Sequence, residues 1–341
     1  MLNERAMSEA RTRLDTLAKP IGSLGLMEDM IAQLAGIQGT VDVTVKPCAL
    51  VFCADNGVVS EGVSQSGPEV TALVALKMCE GVGNINALAR AVGADVYTVD
   101  MGMVGEVDHP ALIKRKIARG TGNIARGPAM TRDEAQRAIQ SGIDLVSDMA
   151  RKGYNVIATG EMGIANTTTS SAVASVLLGI APEKVTGRGA GLSGEGLKRK
   201  VAAIERAIAV NGPDAGDPVD VLAKVGGYDI AAMCGAFIGG AEHGVAVVVD
   251  GLISGVAALL AMRMRPEARD HMLASHMGKE AACGAVMDAL ELKPVIRGEL
   301  ALGEGSGAVM MLPLLNMALD IYGQETYMGA LGLAPYEKID Q

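Results

Sequence analysis

Tryptophan is absent from the 341-residue chain, and aromatic residues make up only 2% of it. A flat ring bound here must therefore rest mainly on Met, Leu and Val side chains. The 20 methionines can supply that surface, or they can simply fill gaps in the core. The five cysteines (Cys48, Cys53, Cys79, Cys234 and Cys283) are odd in number and contain no C-x-x-C pair. That pattern argues against a disulfide framework and against a zinc site. The four histidines, His109, His243, His271 and His276, lack metal-ligand spacing, so neither a metal nor a cofactor is expected. Cations are also in deficit: 30 Lys and Arg stand against 39 Asp and Glu, a net charge of -9. Nucleic-acid phosphates need a basic face, which this balance does not offer. No apolar run reaches the length of a membrane span, and Met1 to Asp15 is charged, without an apolar signal segment. A soluble, cytoplasmic, enzyme-sized protein with no nucleic-acid or membrane partner is expected.

What is present is a repeated alternation of apolar runs and helical patterns. Hydrophobic residues reach 49%, enough for a large core, and 44 glycines against 12 prolines indicate tight backbone approaches rather than disorder. Asn3 to Leu17 reads as an amphipathic helix, and Ser23 is placed to cap a second from about Leu24 to Ile37. The runs Ala49–Ala54, Asp95–Val99, Asn155–Thr159, Val245–Val249 and His271–Ala274 read as strands. Ala49–Ala54 is continuously apolar, the mark of a strand buried on both faces. Between the strands lie helical patterns: one from about Pro68 to Val92, one capped by Thr131, one opening at Gly226-Gly227. This order implies an α/β fold, a parallel sheet with helices on both faces joined by right-handed crossovers. Ligands bind such sheets at the carboxyl ends of the strands, where Asp55, Asp100, Glu161, Asp250 and Ser275 fall. They are expected to converge on one crevice. Both chain ends read as helical, so residues 1–45 with 310–341 are expected to form a small lobe beside an α/β domain of residues 46–309.

Two loops stand out chemically. Leu302-Gly303-Glu304-Gly305-Ser306-Gly307-Ala308 sets one carboxylate between glycines just before an apolar helix, with Ser306 as its expected N-cap. The plain alternative is a turn whose solvated acid favours the helix dipole. Gly160 to Thr169 brings glycines and hydroxyls to a helix start, where free N–H groups can receive an anion. No Gly-Lys-Ser/Thr and no G-x-G-x-x-G follows a strand, so a monophosphate suits the loop better than a triphosphate or a dinucleotide. Gly187 to Lys200 adds a second glycine loop and a cation on the next helix. For each loop the alternative is an ordinary strand-to-helix turn. Paired acids after a strand, as a diphosphate–magnesium site needs, are missing, and no G-x-S-x-G elbow accompanies Ser275-His276. His276 reads best as a satisfied polar residue at a strand end.

With these blocks in view the chain resembles the nicotinate-nucleotide–dimethylbenzimidazole phosphoribosyltransferase family over nearly its whole length. The resemblance rests on Leu17 to Gly25, Cys53-Ala54-Asp55-Asn56-Gly57-Val58, Gly122-Asn123-Ile124-Ala125 and Gly160 to Thr168. It continues in Gly226-Gly227-Tyr228-Asp229, Val249-Asp250-Gly251, Ser275-His276 and Leu302 to Ala308. It implies a glycosyltransferase of cobamide (cobalamin) biosynthesis. Such an enzyme displaces nicotinate from nicotinate mononucleotide, with inversion at C1′, and leaves an α-ribotide on a lower-ligand base. It also implies a dimer. The general base falls on Glu304. The phosphate and ribose site falls on Glu161, Gly163, Asn166, Thr167 and Lys200, and the acceptor pocket on Ser66, Val74, Met162, Ser275 and Leu302. A pyridinium leaving group needs no acid, and a single phosphate needs no metal, which agrees with what the chain lacks.

Two positions depart from the family pattern. Asp-His-Gly after the first strand is Asp55-Asn56-Gly57 here, and a glutamine common near the acceptor ring is Val74. The expected partners are nicotinate mononucleotide and an aromatic base, dimethylbenzimidazole first and purine or phenol second, in a homodimer. The alternatives are a heterodimer with a paralogue acting on a phenol, or a non-catalytic partner subunit.

Overall fold

The computed structural model describes residues 1–332, 334 and 336; the expected lobe's last residues, 333, 335 and 337–341, lie outside the described ones. The chain opens with α1 (Glu4–Thr16) and α2 (Leu26–Gln38), then β1 (Pro47–Ala54), α3 (Glu69–Cys79) and α4 (Asn84–Ala91). Next come β2 (Asp95–Gly102), β3 (Ile113–Lys114), α5 (Arg132–Arg151), β4 (Val156–Met162) and α6 (Asn166–Leu178). Helices α7 (Pro182–Val185), α8 (Gly194–Asn211), α9 (Pro218–Val225) and α10 (Tyr228–His243) follow. The chain then runs through β5 (Ala246–Val249), α11 (Leu252–Met264), β6 (Met272–Ala274), α12 (Cys283–Ala289) and α13 (Ser306–Tyr322). Among the described residues no helix is long and apolar enough to cross a membrane.

The strands form one sheet in the order β3-β2-β1-β4-β5-β6, and every neighbouring pair is parallel. Every residue of β1 is buried because its two neighbours and both faces are covered. Alternate residues serve opposite faces, as the pleat requires. Leu50, Phe52, Ile157, Val247 and Val249 join the core made with α5, α6, α10 and α11. Ala49, Val51, Ala158, Val248 and Leu273 join a second core with α1, α2, α3, α4 and α13. The chain ends meet directly: Ala18 N–H donates to Thr326 O at 3.0 Å, and Leu17 bridges to Tyr327.

Local chemistry sets many of the boundaries. The Asn3 side chain accepts from Ala6 N to start α1, and Thr131 forms a capping box with Glu134 to start α5. Three local expectations are corrected. Ser23 does not cap α2, because Gly25 takes that position with φ 56°, a conformation that suits only glycine. The stretch from Pro68 to Val92 is two helices rather than one; Gly81, at φ 77°, ends α3 and exposes a new helix N-terminus at Asn84. Ser306 is the first residue of α13, and Gly305 stands in the N-cap position. A short sixth strand, β3, adds to the five read from the sequence.

Candidate active site

The strand order reverses between β1 and β4, and a cavity of about 320 Å³ opens at the carboxyl ends of β4, β5 and β6. Its lining includes Glu161, Met162 and Gly163 from the end of β4, Asn166 and Thr167 from the first turn of α6, and Asp250 after β5. His276, Glu280, Leu302 and Glu304 close it on one side, with Ser66 and Val70 on another. Of the residues expected at a site, Glu304, Glu161, Gly163, Asn166, Thr167, Ser66, Met162 and Leu302 are thus brought together.

Three are not on the cavity wall. Lys200 is fully buried beneath it; its ammonium donates to Thr167 Oγ1 at 2.8 Å and to Gly187 O at 3.1 Å. Val74 packs against the second core one turn beyond Val70, and Val70 is the one that lines the cavity. Ser275 is buried, with its hydroxyl given to Val249 O at 2.6 Å and 3.0 Å from His276 Nδ1. The expected convergence of strand-end acids is also only half realised. Asp55 accepts from Thr71 Oγ1 and from Val104 N, while Asp100 accepts from Met103 N and pairs with Lys116 at 3.3 Å. Those two acids tie together the loops at their own strand ends. A buried carboxylate needs partners, and these found them close by in sequence or in the next loop.

Glu304 is the acid whose surroundings the sequence least foretold. Its backbone is left-handed at φ 62°, between Gly303 at 81° and Gly305 at 84°. A non-glycine residue held there costs about 1–2 kcal/mol, which the surrounding contacts must offset. The residue is only 7% exposed, and its Oε1 and Oε2 accept from Asn84 Nδ2 at 3.0 Å and from Ile85 N at 3.1 Å. The backbone is anchored from behind. Asp250 Oδ1 accepts from Ala308 N at 2.9 Å in the first turn of α13, and Gly160 lies directly under the Glu304 carbonyl.

On the opposite wall α6 starts from Ala165, a second left-handed residue at φ 71°. Asn166 Nδ2 donates both to Glu161 Oε2 and to Asp229 Oδ2. Burial pushes the Glu161 carboxyl up to about 8 and Asp229 up to about 6, and Asp229, Asp250 and Glu304 add repulsion at Glu161. Burial thus favours the neutral form of Glu161 over the carboxylate. Asp250 is likewise raised, chiefly by burial. Burial lowers Lys200 to about 8, so its charge is sensitive to mildly alkaline pH. Gly189, with φ 52°, lets the loop of residues 187–191 lie against Thr167; a Cβ there would meet Thr167 Oγ1 at 2.8 Å. A helix N-terminus, hydroxyls, a close glycine backbone and a buried ammonium are together the kind of arrangement that can receive an anion. Asn84, Asp229 and Ala165 were not among the residues expected at the site. Gly81-Val82-Gly83, which interrupts the helical pattern just before Asn84, was the signal that could have found it.

The comparisons with known proteins agree on one family. The family model described as phosphoribosyltransferase matches residues 1–330. The nicotinate-nucleotide–dimethylbenzimidazole phosphoribosyltransferase of Acetivibrio thermocellus is 47% identical over 322 residues, 94% of this chain and 92% of that protein. Its counterpart from Ruminiclostridium cellulolyticum is 46% identical over 338 residues, 99% of this chain and 95% of that protein. The crystal structure of CobT from Thermus thermophilus matches with a TM-score of 0.92 at 41% identity, covering 97% of this chain and all of that one.

Proposed function

The chain belongs to the phosphoribosyltransferase family whose model it matches over residues 1–330, and from that membership we propose its substrates and the roles of its side chains. It transfers phosphoribosyl from nicotinate mononucleotide to dimethylbenzimidazole or a related lower-ligand base. The products are nicotinate and the α-ribotide used in cobamide assembly. Relatives at 47% and 46% identity carry that activity in their names. The observation that carries the reading is the pairing of a buried, oriented carboxylate, Glu304, with an anion cradle across a single cavity.

In this reading the donor phosphate sits at the α6 N-terminus, against Gly163, Asn166 and Thr167. Lys200 supplies positive charge from below through Thr167. Glu161, as a neutral acid, donates a hydrogen bond to the ribose side. The acceptor ring lies toward Ser66, Val70, Met162 and Leu302. Its ring nitrogen attacks C1′ as the bond from C1′ to the nicotinate nitrogen breaks, and the leaving pyridinium takes that electron pair and becomes neutral. The acceptor's N–H proton passes to Glu304. Holding two rings on opposite sides of C1′ accounts for much of the rate enhancement, because alignment removes translational and rotational entropy from the barrier.

The test supplies the purified chain with nicotinate mononucleotide and a mixture of dimethylbenzimidazole, adenine and phenol, and identifies the ribotides by mass. Dimethylbenzimidazole ribotide is the expected product; a solely phenolic product would overturn the acceptor assignment. Glu304→Gln keeps the shape and removes the base. It should bind donor normally and lose on the order of 10²–10⁴-fold in turnover.

The protein acts as a cytoplasmic homodimer in this reading. Helix α13 supports the dimer, because it leaves Met310, Leu314 and Met317 exposed along one stripe. Residues 1–45 and the described part of 310–341 act as one helical unit, which the Leu17–Tyr327 bridge supports. A monomeric mass by light scattering at micromolar concentration would contradict the dimer.

A further inference from the structure

The grip on the Glu304 carboxylate has a part that the reaction as described does not use. Asn84 is the first residue of α4 and lies on the surface, yet its amide nitrogen reaches inward to Glu304 Oε1 at 3.0 Å. The neighbouring N–H of Ile85 meets the other oxygen at 3.1 Å. The two donors hold one oxygen each, so the carboxylate cannot rotate about its last bond without losing a hydrogen bond. The backbone cannot supply this restraint, since Asp250 and Gly160 hold the main chain and leave the side-chain torsions free.

We propose that Asn84 is a positioning residue for Glu304, fixing the carboxylate plane so that one lone pair faces the acceptor's N–H. The proposal rests on the reading of Glu304 as the base. An amide at this place is chemically specific. Its –NH₂ donates without carrying charge, whereas a carboxylate there would set two like charges about 3 Å apart. The Ile85 N–H alone leaves the group free to pivot about one bond.

A double-mutant cycle tests the proposal, with steady-state ribotide formation as the readout. Asn84→Ala should lower kcat about tenfold, the loss typical of one hydrogen bond to a charged group, with KM for donor and acceptor within about twofold. Alanine is a good helix former, so α4 should persist and the melting temperature should hold. Asn84→Asp should lose more activity than Asn84→Ala, because its carboxylate repels that of Glu304. In the Glu304→Gln background Asn84→Ala should have no further effect. Wild-type turnover in Asn84→Ala, a rise in KM alone, or an equal loss in both backgrounds would overturn the positioning role while leaving Glu304 as base. Near-normal turnover in Glu304→Gln would overturn the base reading and the proposal with it.

Discussion

Gly160→Ala places one methyl group between β4 and the Glu304 loop. The new Cβ would stand 2.4 Å from the Glu304 carbonyl oxygen, 2.7 Å from its carbon and 3.0 Å from Gly305 N. All three are backbone atoms, so no flexible side chain can turn aside. Carbon and its neighbours separate at roughly 3.5 Å, so one side must retreat by about 1 Å. The strand is the firmer side, because Gly160 pairs with Val51 in the middle of the β1–β4 ladder. The loop therefore moves and carries Glu304 away from its partners on α4. A displacement of about 1 Å at a reacting group costs on the order of 10²-fold, close to 2.7 kcal/mol of barrier. The three atoms nearest the added methyl all belong to the Glu304 loop and none to the start of α6. Turnover should thus fall about 100-fold, with the donor dissociation constant changed less than about threefold. Calorimetry on nicotinate mononucleotide and initial rates of ribotide formation separate the two effects. Gly127→Ala is the matched control, since nothing lies within 4 Å of its added Cβ. Turnover within a few-fold of wild type in Gly160→Ala would refute both the rigidity assigned to the loop and the role assigned to Glu304.

Two further outcomes follow from the buried ionisable groups. Lys200 is lowered to about 8 by burial, so the cradle carries its cation below that pH and loses it above. Donor affinity should weaken as pH rises through about 8 in the free enzyme, and Lys200→Met should be weaker at pH 7 and flat across that range; an unchanged slope in the variant would remove Lys200 from donor binding. Glu161 is raised from 4.5 to about 8, so between those values the folded state binds the proton that the unfolded state has released. Its contribution to stability is present below about 4.5 and is lost as pH rises to about 8. Glu161→Gln should accordingly narrow the drop in melting temperature between pH 5 and pH 8; an undiminished drop would place the titration on other groups.

The parallel sheet was readable because its signals are local and redundant. Ala49 to Ala54 is apolar at every position, and it proved to be a strand buried on every residue. Thr131 announced a helix start through a side chain that reaches only three residues along the chain. Where a boundary depended on backbone conformation instead, the reading slipped. Gly81 in a left-handed turn cut one expected helix into two, and Gly25 and Gly305 took cap positions assigned to Ser23 and Ser306. Serine signals a cap through its hydroxyl, but a left-handed cap is a matter of torsion, and only the surrounding loop decides which glycine supplies it.

By itself the sequence determined the fold class, the family resemblance and the loops that carry chemistry, since each depends on residues close together along the chain. The tertiary structure alone decided how those loops meet. It used Asp55 and Asp100 to knit loops and left Glu161, Asp250 and Glu304 in the cavity. It sank Lys200 beneath Thr167, and it put Val70 rather than Val74 on the wall. It also brought Asn84 to Glu304 across 220 residues. The reason is physical: burial, desolvation and hydrogen-bond satisfaction depend on every neighbour in space, and a contact between distant segments leaves no periodicity in either one.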